Sequence, residues 1–287
     1  MILVDLNQVL LSGLMAQIAN GKKMLGGMKL DESLVRHMVL MILKTHLKNF
    51  RKDYGEVVLC CDNRKYWRKE FFPFYKAGRK KTREKSDLDW HMIFDMLAKF
   101  KQELKENFPY KVIDVEGAEA DDIIGTLVSI YAPTEKILIL SSDGDFLQLQ
   151  MYGDNVKQYN PAQKKYVTTS NPTLDLKEKI IRGDKGDGIP NMFSPSDCFV
   201  RDLRQKAITQ KVIDKFLSES TELWSDSVAI TGFSRNETLI DLRKIPTGIK
   251  QKIINTFEQV KPAPKQKLLN YFIDNKLKNL MEVIEEF

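Results

Sequence analysis

Apolar residues in this chain follow two rhythms up to about residue 170 and a single one after it. Four short segments are apolar almost without interruption, at residues 2–6, 56–61, 111–115 and 136–140. Runs of that length read as strands buried on both faces. Two further short strands, 155–159 and 165–168, are predicted as a hairpin with Asn160-Pro161 in the turn. Between the strands the spacing turns helical. A helical stretch follows the first strand to about Asn20, and a glycine-rich loop with Gly21, Gly26 and Gly27 comes next. Asp31 is placed to cap the following helix, where Leu34, Val35, Met38, Val39, Ile42 and Leu43 recur at helical spacing. Further helices are predicted over 88–106 and 119–130. Strands alternating with helices predict an α/β fold, with a mostly parallel central sheet covered by helices. From Asn171-Pro172 onward only helical periodicity remains, punctuated by Pro190, Pro195, Pro246 and Pro262. The expected organisation is therefore an α/β core over residues 1–170 and a smaller helical C-terminal domain over 171–287.

Nine carboxylates take their meaning from this pattern. Asp5, Asp62, Asp143 and Asp145 fall at carboxyl ends of predicted strands. Glu119, Asp121 and Asp122 open the helix after the third strand. Asp184 and Asp187 lie in the loop Asp184-Lys185-Gly186-Asp187-Gly188-Ile189-Pro190. In open α/β sheets, ligands bind outside the carboxyl ends of the strands. Taken singly, each group has a plain structural explanation, because acids favour helix N-termini and open loops. Acids at every strand end on one rim do not. Clustered carboxylates repel unless cations hold them, and Mg²⁺ takes oxygen ligands from carboxylates, water and phosphate. Two divalent ions about 3.5–4 Å apart would activate a water and stabilise a leaving oxygen. No protein nucleophile is then needed, and no Ser-His or Cys-His arrangement stands out. Asp184 and Asp187 are three residues apart, so both can face one ion, and the loop glycines let backbone amides approach a phosphate.

Charge adds a partner class. The chain of 287 residues carries a net +6, and residues 64–85 hold ten of its Lys and Arg against Glu70 and Glu84. Taken alone, that block also admits a solvated helix face as the less favoured reading. Beside an acid cluster it points to a polyanion such as nucleic acid. Three cysteines and three scattered histidines form neither a disulfide framework nor a zinc pattern. No apolar run is long enough to span a bilayer, and the first strand begins at residue 2, so neither a membrane helix nor a signal peptide is expected.

In order, Asp5, Asp62, Glu119-Ala120-Asp121-Asp122, Ser141-Ser142-Asp143-Gly144-Asp145-Phe146 and Gly183 to Pro190 resemble the motif series of the 5′-nuclease superfamily. That superfamily comprises flap endonucleases, the 5′-nuclease domain of bacterial DNA polymerase I and phage exonucleases. The likeness is strongest to the ribonuclease H type of T-even phages and runs through nearly the whole chain. The resemblance implies two Mg²⁺ ions, with Mn²⁺ able to substitute. It puts Asp5, Asp62, Glu119, Asp121 and Asp143 on the first, Asp145, Asp184 and Asp187 on the second, and Asp122 near both. Phe74 to Arg79 resembles the Tyr-Lys-x-x-Arg element at the base of a helical arch, here about residues 64–90. Lys76, Arg79 and Asp121 are the implied catalytic residues. Lys76, Arg79 and Arg83 would share a face if that stretch is helical. Arg64, Lys65, Tyr75, Lys80 and Arg83 would guide a single-stranded 5′ end. Tyr66 and Tyr75 are available to stack on bases, while Trp67, Phe71 and Phe72 are expected to pack inside. A Gly-x-Gly turn that grips duplex in many members is missing after Pro190, so Arg201, Arg204, Lys206 and Lys211 are expected in its place. With the first strand beginning at residue 2, an amino-terminal tail for a sliding clamp is not expected.

The implied function is an Mg²⁺-dependent 5′→3′ exonuclease with flap endonuclease activity on RNA–DNA and DNA–DNA duplexes. It would remove RNA primers from lagging-strand fragments in phage replication, as a monomer in the host cytosol, with no membrane. Its implied substrates are branched or nicked duplexes with a 5′ end or flap, and its implied partner is a phage single-stranded-DNA-binding protein. Two other readings compete. A PIN-like endoribonuclease would lack the basic segment and the Gly-Asp loop. A non-catalytic DNA-structure-binding protein would have no use for so many clustered acids.

Overall fold

The four uninterrupted apolar runs lie side by side with the fifth strand in the parallel part of one sheet. The computed structural model describes residues 1–25, 32–86 and 88–287, so Gly26, Gly27 and the expected cap Asp31 lie outside the described residues. The strands are β1 (Ile2–Asp5), β2 (Val57–Cys61), β3 (Lys111–Asp114), β4 (Ile137–Leu140), β5 (Val156–Asn160) and β6 (Lys165–Val167). Their order is β3-β2-β1-β4-β5-β6, parallel throughout except for β6, which returns antiparallel on β5. The parallel register sets Asp5 opposite Cys60, at the carboxyl ends of β1 and β2. The helices are α1 (Leu6–Leu25), α2 (Glu32–Lys48), α3 (Arg51–Tyr54), α4 (Trp67–Phe71), α5 (Gly78–Glu84), α6 (Trp90–Asn107), α7 (Ala120–Tyr131), α8 (Pro172–Arg182), α9 (Gln210–Ser218), α10 (Ser227–Ile240), α11 (Thr247–Gln259), α12 (Lys265–Asp274) and α13 (Lys278–Met281). Helix α1 runs past the expected stop at Asn20 and takes in Gly21. A 3-10 helix, Gly144–Tyr152, connects β4 to β5.

Side chains of successive strand residues point to opposite faces, and both faces are dry. Ile2, Val4, Leu59, Cys61, Leu138 and Leu140 meet α1, α2 and α6 on one side. Leu3, Val58, Cys60, Ile137 and Ile139 meet α7 on the other. This double cover explains why the strands read as continuous apolar runs. The last part of the chain returns to complete both layers. Leu268, Tyr271, Phe272, Leu277, Leu280 and Phe287 join the first, and Leu242, Ile245, Ile253 and Phe257 join the second. Helices α8, α9 and α10 build a third cluster with Phe72 and Tyr75, around Ile181, Ile213 and Ala229. No helix among the described residues is long and apolar enough to cross a membrane.

Candidate active site

Strand ends set the first group of acids. Asp5 closes β1 and is buried; its carboxylate accepts from the Gln8 amide at 3.2 Å and from Ser141 Oγ at 3.1 Å. Ser141 follows β4, and its hydroxyl in turn accepts from the Asp143 amide at 3.1 Å. One hydroxyl therefore ties the ends of two neighbouring strands. Asp62 follows β2 and accepts from Asn7 Nδ2 at 3.0 Å and from the Ala120 amide at 2.8 Å. That amide belongs to the first residue of α7, where exposed N–H groups and the helix dipole favour a carboxylate. Asp143 caps the 3-10 helix by accepting from the Asp145 amide at 2.9 Å. Burial pushes Asp5 up to about 7, and the charges of Asp62 and Asp143 add to it. Burial, then Asp143, pushes Asp121 well up, with Lys76 opposing. Asp143 rises through burial, against the pull of Lys179. These acids from three separate segments feel one another's charge.

The other acids are matched by cations. Glu119 stands at the N-cap of α7 and accepts from Arg68 Nη1 at 3.0 Å and Lys76 Nζ at 2.6 Å. Asp122 is fully buried. It accepts from the Glu119 amide at 2.9 Å and from Trp67 Nε1 at 3.2 Å, and Arg68 Nη1 lies 2.8 Å away. Asp187 accepts from Tyr75 OH at 2.9 Å and Arg79 Nη2 at 2.5 Å. Burial works against its charge, yet Lys76 and Arg79 outweigh that and hold Asp187 below the usual carboxylate range. Asp145 and Asp184 share Lys179, which lies 3.0 Å from Asp184. The Asp184 loop closes as Asp184 and Ile189 exchange backbone hydrogen bonds of 2.8 Å. Gly183 enters it at φ +71°, where a Cβ would meet Ile189 O at 2.4 Å, so no other residue fits without a shift.

The nine acids thus divide by charge balance. Asp5, Asp62, Asp121 and Asp143 form no ion pair among the described residues, whereas the other five are bridged by Arg68, Lys76, Arg79 and Lys179. Among the described residues no three acid, histidine or cysteine side chains stand at the spacing of a closed ion site. The unmatched four carry the donor chemistry that Mg²⁺ prefers, and in Asp5, Asp121 and Asp143 burial, with neighbouring acids adding to it, raises the proton affinity.

Several expectations need correcting. Lys76 is not helical. It sits just before α5 in the left-handed region, at φ 56°, because its amide donates to Asp187 O at 2.8 Å. Lys76 therefore joins the acid rim separately from the α5 face that carries Arg83. Tyr75 is buried and cannot stack on a base; its hydroxyl holds Asp187. Phe71, expected inside, is half exposed, while Trp67 and Phe72 are buried as expected. Asp122 has its oxygens engaged by the α7 capping box, Trp67 and Arg68, which is the bonding of a structural acid. The arch segment consists of the two short helices α4 and α5 with a turn between them. Arg64, Lys65, Arg79 and Lys80 are exposed, and Arg83 rests over the Phe94 ring at 5.2 Å. A cavity of about 560 Å³ opens beside Asp62, lined in part by Asn7, Asn63, Tyr66, Arg83 and Phe94. Arg201 and Arg204 are exposed on the loop before α9 and pair with no rim acid among the described residues. Sequence reasoning missed Arg68, Lys179 and Ser141. Lys179 left one faint sign, since it lies a helical turn before Gly183-Asp184 on the same helix end.

Comparison with known proteins supplies an independent line. Residues 2–180 match the family model of the 5′-3′ exonuclease N-terminal resolvase-like domain, and residues 170–287 match that of the T4 RNase H C-terminal region. The chain is 34% identical over 296 residues to the ribonuclease H of Enterobacteria phage T4, spanning 99% of this chain and 95% of that protein. It is 28% identical to a 5′-3′ exonuclease of Buchnera aphidicola, over 54% of each chain. Among solved structures, a phage T5 5′-exonuclease with bound zinc superposes with a TM-score of 0.59 at 15% identity, covering 91% of this chain and 98% of that one. A phage T5 flap endonuclease in complex with DNA and metal ions gives 0.57 at 16% identity, covering 90% and 99%. At such identities the structures show a shared fold.

Proposed function

This chain belongs to the 5′-3′ exonuclease family, a family of metal-dependent 5′ nucleases, and we propose that it cleaves 5′ ends and flaps on RNA–DNA and DNA–DNA duplexes using two Mg²⁺ ions. The observation that carries this reading is the charge division of the rim: four acids without counter-charge beside five matched to cations, with Lys76 and Arg79 at the junction. Asp5, Asp62, Asp121 and Asp143 would hold one ion, and Asp145, Asp184 and Asp187 the other. Bound divalent ions supply an activated water and charge stabilisation at the leaving oxygen. Glu119 and Asp122 are held by Arg68 and orient the start of α7, which presents its first amide to Asp62. Lys76 and Arg79 would turn from Glu119 and Asp187 to the scissile phosphate, where donors placed for developing charge lower the barrier. The exposed cations of residues 64–85 would lead a single strand toward the cavity beside Asp62.

In this reading residues 1–170, joined by Asp184 and Asp187, carry the chemistry, and 171–287 otherwise supplies the grip on the duplex. The protein works as a monomer at replication forks in the host cytosol, removes RNA primers from lagging-strand fragments, and meets the phage single-stranded-DNA-binding protein there. The test is digestion of a 5′-labelled flap and of a nicked RNA–DNA hybrid, with Mg²⁺ and with chelator. Short 5′-phosphorylated products that vanish on chelation are expected. Cleavage that persists in chelator, or intact substrates with Mg²⁺ present, would overturn the proposal.

A further inference from the structure

Away from the acid rim, α10 carries a cation that has no acid beside it. Arg235 is half buried and forms no ion pair among the described residues. Its guanidinium donates instead to uncharged oxygens: Nη2 to the carbonyls of Pro190 at 2.9 Å and Asn191 at 3.3 Å, and Nη1 to Ser196 Oγ at 3.0 Å and to the Ser194 carbonyl at 3.4 Å. Nε donates to Asn236 Oδ1 at 2.9 Å. Carbonyl and hydroxyl oxygens converging on a positive charge are the surroundings of a bound alkali cation. Here the charge is attached to the chain, and an arginine keeps it at any working pH.

The rest of α10 is shaped to bring that charge in. Gly232, Arg235 and Asn236 lie three and four residues apart, on one helix face. At Gly232 a Cβ would stand 1.9 Å from Met192 O, so the helix backbone lies directly on the turn. Asn236 Nδ2 donates to the carbonyls of Ile180 at 2.8 Å and Pro190 at 2.9 Å. The gripped turn then holds the loop that follows. The Asn191 amide donates to Gln205 Oε1 at 2.7 Å, Asn191 Nδ2 donates to Lys206 O at 2.9 Å, and the Lys206 amide donates to Ser194 Oγ at 2.9 Å. Arg201, Arg204 and Lys206 are exposed on that loop. A positive charge without a counter-ion behind the turn adds to the field in front of it.

We propose that Arg235 is a built-in cation that organises residues 190–206 into a phosphate-contacting surface for duplex, in the place that a free monovalent ion would otherwise fill. Duplex binding is then indifferent to which alkali ion is in solution. This inference rests on the reading that the protein acts on a duplex with a 5′ single strand. The experiment measures affinity for a blunt duplex and for a single strand, in K⁺, Na⁺ and Li⁺ at equal ionic strength, for the wild type, Arg235→Lys and Arg235→Ala. Wild-type duplex affinity should be equal in the three salts. Arg235→Ala should bind duplex about tenfold or more weakly, since several hydrogen bonds to a charged group are lost. Its single-strand affinity, carried by residues 64–85, should not change. Low-millimolar guanidinium, or K⁺ in preference to Li⁺, should restore part of the loss, and Arg235→Lys should fall between. Wild-type duplex binding that changes with the alkali ion would overturn the proposal, and so would an alanine variant equal to wild type. Equal losses on both nucleic acids, or no rescue, would overturn it too. Should the alanine variant melt below the assay temperature, the wild-type ion series decides alone. A wild type that binds neither nucleic acid overturns the substrate reading instead, and this inference with it.

Discussion

Arg68 and Lys76 show how little of the site's chemistry a residue's neighbours in sequence reveal. Both come from one lysine- and arginine-rich stretch that looks uniformly solvated. Yet Arg68 is buried against Glu119, Asp122 and the Leu239 carbonyl, to which its Nε donates at 2.8 Å, while Arg64 and Lys65 close by are exposed. Breaking a buried pair by removing one partner leaves the other charge stranded, at a cost of about 3–5 kcal/mol. Arg68→Met is therefore expected to lower stability by that order, read from urea unfolding; a change below about 1 kcal/mol would mean that water reaches the two acids. Lys76 has a different job. Burial works against its charge, but Asp187, Glu119 and Asp121 outweigh burial and hold its proton firmly. Lys76→Ala should slow single-turnover cleavage by about 10²–10³, as loss of one charge-stabilising donor does, with DNA affinity little changed. A defect confined to affinity would make Lys76 a backbone contact only. The strand-end acids were legible because each follows an apolar run. Of their cations, Lys76 and Arg79 came through only by the family motif, and Arg68 and Lys179 did not, because nothing local distinguishes a cation that turns inward.

At the scale of elements, one carboxylate joins three helices. Glu103 on α6 accepts from Arg36 of α2 at 2.9 and 2.7 Å and from the Tyr271 hydroxyl of α12 at 2.5 Å. Burial would raise its pKa, but Arg36 and Tyr271 outweigh burial and lower it from the ordinary value of 4.5. The sign follows directly. A depressed acid stabilises the fold above its unfolded pKa, and the stabilisation is lost as pH falls through the folded value. Urea midpoints between about pH 5 and pH 3 should therefore drop more steeply for the wild type than for Glu103→Gln; parallel curves would show that the three-helix tie contributes nothing. The elements themselves were largely readable. The strands came through because both faces are dry, and α6 and α7 begin within two residues of expectation. Lys76 escaped helical periodicity because its left-handed backbone is set by Asp187, a partner far along the chain.

For the molecule as a whole, the last two-fifths of the chain does two jobs that periodicity could not separate. Helices α8 to α10 surround their own cluster, whereas α11 to α13 and Phe287 complete both layers over the sheet. Fully burying one large apolar side chain contributes about 1.5–3 kcal/mol, and six of them arrive in the last twenty residues. A fragment of residues 1–241 is expected to show neither a cooperative thermal transition nor cleavage, although it contains all nine acids. A fragment that melts sharply and cuts DNA would show that the sheet stands without its returning helices.

The docking of Phe287 against Phe108 and Phe272, at ring separations of 6.0 and 5.3 Å, bears on how the protein answers proteolysis. A protease that clips just ahead of Phe287 removes this wedge and opens Phe108 and Phe272 to water. A nick there therefore loosens the cover of the sheet far more than the few residues lost would suggest.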